Sequence, residues 1–175
     1  MKVCINAGHS SVDPGAVGRV LGLRESDVAY NVGRKVCNYL FAVGIETVFI
    51  QDDSLAVVTE TSNSFGADIF VSIHCNSAES TNAVGTETFA FKGSRKGRQL
   101  AGCIQNQLVD TLGTVDRGVK EAGFYVIKNT EAVACLAEIA FISNKQEEKM
   151  LASAGKQDDI ARAIARGITD YMQGL

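Results

Sequence analysis

Between Ala67 and Ser77 the chain reads Ala-Asp-Ile-Phe-Val-Ser-Ile-His-Cys-Asn-Ser. Ile69 to Ile73 is an apolar, β-branched run of strand length, and a histidine stands where the run stops. In an open α/β sheet, ligands bind just beyond the carboxyl ends of the strands, which is where His74 projects. The only other histidine, His9, repeats the arrangement in Lys2-Val3-Cys4-Ile5-Asn6-Ala7-Gly8-His9: a strand, a glycine turn, then an imidazole. Two histidines at two strand exits point to a single metal or catalytic centre.

The rest of the chain alternates in the same manner. Ser10 to Gly22 reads as a loop with turn chemistry at Asp13-Pro14-Gly15. From Glu25 a helix follows, with Val28, Val32, Val36 and Leu40 on one stripe. Gly44 stops it, Ile45 to Ile50 is a strand, and Ser54 to Gly66 is a helix of poor propensity. After the His74 strand, Gly85 to Phe91 alternates as a strand, and Gly93 to Leu112 is a helix capped by Ser94. Arg117 to Lys120 reads as a basic loop, Phe124 to Ile127 as a short strand, and Ala134 to Ile142 as an apolar strand. Asn144, with Glu147 three residues on, predicts a capping box opening a short helix. A closing helix buries Ile160, Ile164, Ile168 and Tyr171. The predicted class is α/β, one domain over residues 1–175, with a twisted, mostly parallel but mixed sheet flanked by helices.

Composition removes several alternatives. A chain of 175 residues, 46% hydrophobic, is long enough for one well-buried core. A net charge of -3 offers no basic field for nucleic acid or an anionic membrane. No run of eighteen apolar residues is present to span a bilayer, and with Met1-Lys2 leading directly into a strand no signal peptide is expected within this sequence. The cysteines Cys4, Cys37, Cys75, Cys103 and Cys135 are odd in number and show no CxxC spacing. They read as unpaired structural thiols, with Cys75, beside His74, the one of interest.

Glu138 is the strongest anomaly, a lone carboxylate in a nine-residue apolar strand. Burial without a partner is costly and raises a carboxyl pKa toward neutrality, as a general acid/base requires. The plainer alternative is a structural ion pair with a buried base. Glu25 heads the inward stripe of its helix, although on the helix alone an acid favoured by the macrodipole is the simpler reading. Two imidazoles and one carboxylate make a three-ligand set that leaves zinc an open fourth position. A second carboxylate, off the metal, then takes a proton from water. No HExxH, GxSxG or phosphate loop is present. The residues alone therefore indicate a metal-assisted hydrolase.

The segments INAGHSSVDPGAVG, GLRESDVAYNVGRKV, VSIHCNS, GTETF, RGVKEAGFYVIKNT and AEIAFISNKQEE together resemble the zinc N-acetylmuramoyl-L-alanine amidases of the amidase 3 branch. They fall in that family's order and cover nearly the whole chain. The resemblance implies one Zn2+ held by His9, Glu25 and His74, with Glu138 as the catalytic glutamate. It implies hydrolysis of the amide between N-acetylmuramic acid and L-alanine of peptidoglycan, with no nucleic-acid partner and a monomeric chain. Three positions depart from the family's usual pattern: Asn6-Ala7 stands where Asp-Pro is common, Cys75 follows the second histidine, and Ala140 takes a place often held by Gly. No occluding helix and no wall-binding module are expected. Action is expected outside the cytoplasm on the cell wall, after export by a segment absent from this chain or as a phage-type lysin. Asn76 and Ser72 are candidates to support the ligands, or are ordinary strand-end residues. Arg117 and Lys120 would meet an acidic stem peptide, or lie in a solvated loop. Two rivals stay open: a zinc hydrolase of another amide or peptide bond on the same scaffold, and a wall-binding domain without turnover.

Overall fold

A computed structural model of the protein describes residues 1–174. Its strands are β1 (Lys2–Ala7), β2 (Glu46–Ile50), β3 (Ile69–Asn76), β4 (Thr86–Phe91), β5 (Asp116–Ala122) and β6 (Val133–Phe141). Its helices are α1 (Glu25–Ala42), α2 (Leu55–Phe65), α3 (Arg95–Leu112), α4 (Tyr125–Asn129), α5 (Lys145–Ala152) and α6 (Ala154–Gln173). The sheet order is β2-β1-β3-β6-β4-β5. β1, β2, β3 and β6 run parallel, while β4 is antiparallel to β6 and parallel to β5. This is the mixed, mostly parallel α/β sheet that the sequence predicts.

The two faces of the sheet carry different loads. One face packs Val3, Ile5, Val71, Ile73, Cys135 and Ala137 against the apolar stripes of α1, α3 and α6, and forms the main core. The opposite face sets Cys4, Phe70, Ala134 and Leu136 under only Val58 of α2 and Val126 and Ile127 of α4. Side chains alternate along a strand, so the residues on this thinly covered face can be counted off. In β1 they continue to Asn6, in β3 to Ser72 and His74, and in β6 to Glu138. The thin cover leaves that face open at the carboxyl ends of the strands.

Two local readings of the sequence are corrected. Arg117 to Lys120 belongs to edge strand β5 rather than a loop. Its charge hides the alternation, and a register shift opposite Thr86 and Thr88 interrupts it. Phe124 to Ile127 lies in and just before helix α4, not in a strand. A short apolar run does not distinguish the two by period, and here it is tertiary packing of Val126 and Ile127 that decides. Helix α2 forms despite its composition. Ser54 caps it by accepting from the Val57 N–H, and Gly66 ends it in the left-handed region. Asn144 caps α5 as expected, but Glu147 does not complete the box. Its carboxylate accepts instead from the N–H groups of Gly85 and Phe141, at 2.8 and 2.6 Å, tying β4 to the end of β6.

Candidate active site

The four residues singled out in the sequence converge. β1 exits through Gly8 to His9, which is held at φ 59, the one non-glycine residue with positive φ among the described residues. That conformation costs on the order of 1–3 kcal/mol and persists where surrounding contacts enforce it. Here one such contact is Asp13, whose Oδ2 lies 2.9 Å from His9 Nδ1. The His9 imidazole and the Gly15 N–H hold the Asp13 carboxyl below its ordinary range. With Nδ1 engaged, the other ring nitrogen, Nε2, faces Glu25 Oε2 at 3.4 Å.

Glu25 is the first residue of α1 and is almost fully buried. Its Oε1 lies 2.9 Å from His74 Nδ1 and accepts from the Cys75 N–H at 3.0 Å. Its Oε2 accepts from the Ala16 N–H at 2.9 Å. Burial pushes this carboxyl up, but His74 and the Ala16 N–H outweigh burial and hold it below the ordinary value. The helix start favours the charge, as the plainer reading holds, yet the partners are the imidazoles. One ligand atom from each of His9, Glu25 and His74 lies within 4.8 Å of the others. The space around them exists because two residues lack side chains. A Cβ on Gly8 would sit 2.2 Å from the His74 ring, and one on Gly15 would sit 2.5 Å from the His9 ring and 2.6 Å from Glu25 Oε2.

Glu138 stands directly across from His74 in the β3–β6 register. Burial raises its carboxyl to about 7; Glu25 and Glu87 push the same way, against His74. Oε2 is buried and has no hydrogen-bond partner among the described residues. No Lys or Arg pairs with it among the described residues, so the structural ion pair entertained from the sequence is not what occupies this position. The next residue across the sheet, Glu87 on β4, is paired with Glu138 in register. Glu87 takes two cations instead, Arg117 Nε at 2.8 Å and Lys120 Nζ in a close ion pair, and accepts from the Asn76 amide at 2.8 Å. Burial raises the Glu87 carboxyl, but Lys120, Arg117 and Asn76 outweigh it and hold the group ionised.

These contacts reassign several residues. Arg117 and Lys120 neither float in a solvated loop nor stand free for an acidic peptide; they are committed to Glu87. Asn76 works on Glu87, and the Ser72 hydroxyl donates to Asn6 Oδ1 at 2.7 Å. Cys75 points to the opposite face from His74 and lies in the main core, and burial keeps its thiol well above the ordinary range. All five cysteines are free. Sequence reasoning passed over Asp13 and Glu87. The second was accessible, since Glu87 falls on the same alternate face as Phe89 and Phe91 in an otherwise apolar and threonine strand.

His9, His74 and Glu138 border a cleft of about 430 Å³ on the thin face of the sheet, with Glu25 buried behind the two imidazoles. Leu55 and Val58 of α2 wall one side, and Phe124, Tyr125 and Val126 the other. Two imidazoles and a carboxylate converging around a space cleared by two glycines suit a zinc-sized cation with a coordination position open to the cleft. An unpartnered carboxyl that titrates near neutrality suits proton transfer there.

The family description N-acetylmuramoyl-L-alanine amidase (Amidase_3) matches residues 3–170. The uncharacterized protein YqiI of Bacillus subtilis is 41% identical over 97% of this chain and 84% of its own length. The N-acetylmuramoyl-L-alanine amidase LytC of the same organism is 37% identical over 97% of this chain, which spans 35% of LytC. Among solved structures, the N-acetylmuramoyl-L-alanine amidase AmiC2 of Nostoc punctiforme superposes with a TM-score of 0.93 at 31% identity, covering 99% of this chain and 97% of that one. The chain belongs to the Amidase_3 family of N-acetylmuramoyl-L-alanine amidases.

Proposed function

We propose that this chain hydrolyses the amide joining N-acetylmuramic acid to L-alanine in peptidoglycan, outside the cytoplasm, with one zinc ion held by His9, Glu25 and His74. The observation that carries the reading is the His-Glu-His set with donor atoms within 4.8 Å, with Glu138, whose buried Oε2 is unpartnered among the described residues, opposite His74 in the sheet register. Family membership supports the substrate. When bound, zinc supplies a Lewis acid for the amide carbonyl and makes water a nucleophile near neutral pH.

The chain's own residues supply the rest. Asp13 orients His9, and the N–H groups of Ala16 and Cys75 fix the two oxygens of Glu25. Glu138 accepts a proton from the attacking water at its free oxygen. As the carbon–nitrogen bond breaks it returns that proton to the alanine nitrogen, which leaves as an amine. One group can do both because burial brings its pKa close to the working pH. Leu55, Val58, Val126 and Leu136 give the cleft apolar walls beside the reacting atoms.

Digestion of purified peptidoglycan tests the bond. Mass spectrometry with end-group labelling is expected to find stem peptides with a free L-alanine amino terminus and glycan strands without new reducing ends. New reducing ends without alanine amines would identify a glycosidase. Amines at another residue would identify an endopeptidase, and no products from zinc-loaded protein would identify a binding domain.

Cys75 is expected to take no part in the chemistry. A core thiol 2% exposed is not presented to a substrate in the cleft, and the hydrolysis needs no thiolate. Cys75→Ser is expected to retain most of the turnover, within about threefold, while placing a hydroxyl in the core costs stability on the order of 1 kcal/mol. Loss of turnover with zinc content and fold intact would overturn the mechanism above.

A further inference from the structure

The β1–α1 connection, which carries His9 and delivers Glu25, is held from outside by a second glutamate that the chemistry does not use. Its second half is a small hairpin: Val17 bridges Arg24, and the Gly18 N–H donates to the Leu23 carbonyl at 2.8 Å. The base of that hairpin runs straight into the site. Ala16 accepts from the Glu25 N–H through its carbonyl, at 2.9 Å, and donates its own N–H to Glu25 Oε2 at 2.9 Å.

The tip is gripped by Glu148 of α5. This carboxylate is fully buried and pairs with no cation among the described residues. It accepts from the N–H groups of Val20 at 2.9 Å and Leu21 at 2.7 Å, with Leu23 at 3.5 Å. The backbone opposite has been cleared for it, since a Cβ on Gly18 would sit 2.1 Å from Glu148 Oε1. Arg19 makes a further strap, donating to the carbonyls of Ala78 and Glu79 in the loop after the His74 strand. The Val20 and Leu21 side chains are about half exposed, so apolar burial does little to hold the tip, while Ala16 and Leu23 pack on the core at the base. The tip's conformation rests on polar contacts, and buried charge-assisted hydrogen bonds are the strong kind.

We infer that Glu148 is a positioning residue for the metal site: by fixing the hairpin tip it holds Ala16 and Glu25 in the arrangement that binds zinc. This inference rests on the zinc reading above. A carboxylate suits the position because each hydrogen-bond partner of Glu148 is a backbone N–H donor. An amide in its place would turn N–H groups toward the Val20 or Leu21 N–H.

The test measures zinc affinity rather than turnover, by competition with a chromogenic chelator, in wild type, Glu148→Gln and Gly18→Ala. The second variant leaves Glu148 intact and displaces its carboxylate from the loop side. Circular dichroism and thermal melts of the metal-free proteins establish that each variant is folded. Supporting polar contacts around metal ligands are worth about 10–100-fold in metal affinity. Each folded variant is therefore expected to bind zinc about tenfold or more weakly, with an altered visible spectrum of the cobalt-substituted protein. In metal-free wild type, the Val20 and Leu21 amides are expected to exchange with solvent slowly despite their exposed side chains. Wild-type zinc affinity in either folded variant, or amides that exchange as fast as a free loop, would overturn the assignment of Glu148 alone. Wild-type protein that binds no zinc would overturn the metal reading itself.

Discussion

Glu138→Gln is expected to lose turnover on peptidoglycan by roughly 10²–10⁴-fold, the range attached to a positioned general acid/base, while keeping its zinc. The side chain contacts none of the proposed ligands through a hydrogen bond, and its amide analogue has the same shape, so metal binding has no reason to change. Stability is expected to move the other way. The folded-state pKa of about 7 lies above the ordinary 4.5, chiefly because of burial. Below pH 4.5 the carboxyl is protonated in both states and contributes nothing. Between 4.5 and about 7 the unfolded chain releases the proton and the folded protein keeps it, so stability falls as pH rises. Above about 7 the loss is complete, on the order of 3 kcal/mol at 1.36 kcal/mol per pH unit.

The metal-free glutamine variant should therefore melt higher than wild type at pH 8, with the difference vanishing near pH 4. The wild-type kcat/KM should rise with pH as Glu138 ionises, at or below about 7 because a nearby cation favours the carboxylate. The residual rate of the variant should lack that limb. A variant that turns over normally would remove Glu138 from the mechanism. A variant that loses zinc would mean that ligand and base have been exchanged.

Much of this site was legible in the sequence, for identifiable reasons. His74 and Glu138 stand out because a strand alternates with period two, so a polar residue in an apolar run declares the face that it occupies. Both lie on the thinly covered face, and the same count places Cys75 on the other. His9 was legible as the residue after a strand and a glycine. Glu25 was only half legible, because an acid at a helix start is ordinary, and nothing in the helix itself reveals that His9 and His74 converge on it. Position in the fold supplies that information.

Long-range pairings account for what was missed. Arg117 and Lys120 look like a free basic loop because their partner, Glu87, lies about thirty residues earlier, on the neighbouring strand. Glu147 resembles the second half of a capping box, yet its backbone partners come from β4 and the end of β6. Helix α4 has only five residues, too few for a helical period to register.

Removing an imidazole is expected to have the larger effect on the metal. Purified wild type should carry about one zinc per chain, and His74→Ala, like chelation of the wild type, should lose the metal and the turnover together. Lewis-acid stabilisation is worth several kcal/mol, which corresponds to roughly three orders of magnitude in rate. His74 is the more telling of the two histidines because it joins the other parts of the site. Burial works against its protonation, but Glu25 and Glu138 outweigh burial and raise its pKa. In the absence of metal it is the nearest side-chain partner of Glu25, at 2.9 Å against 3.4 Å for His9.

Without His74, Glu25, 4% exposed in the intact protein, keeps only backbone donors and the more distant His9. The metal-free variant should accordingly be less stable than metal-free wild type, by about 3 kcal/mol for a broken buried pair. It should also fail to gain stability on adding zinc. Wild type at a thousandfold excess of zinc over the dissociation constant gains about 4 kcal/mol by mass action. Thermal melts with and without zinc, alongside metal analysis and the peptidoglycan assay, separate these contributions. Undiminished turnover in a metal-free wild-type preparation would remove zinc from the reaction. A His74→Ala protein with full zinc content would remove His74 from the ligand set and leave it as a hydrogen-bonded partner of Glu25.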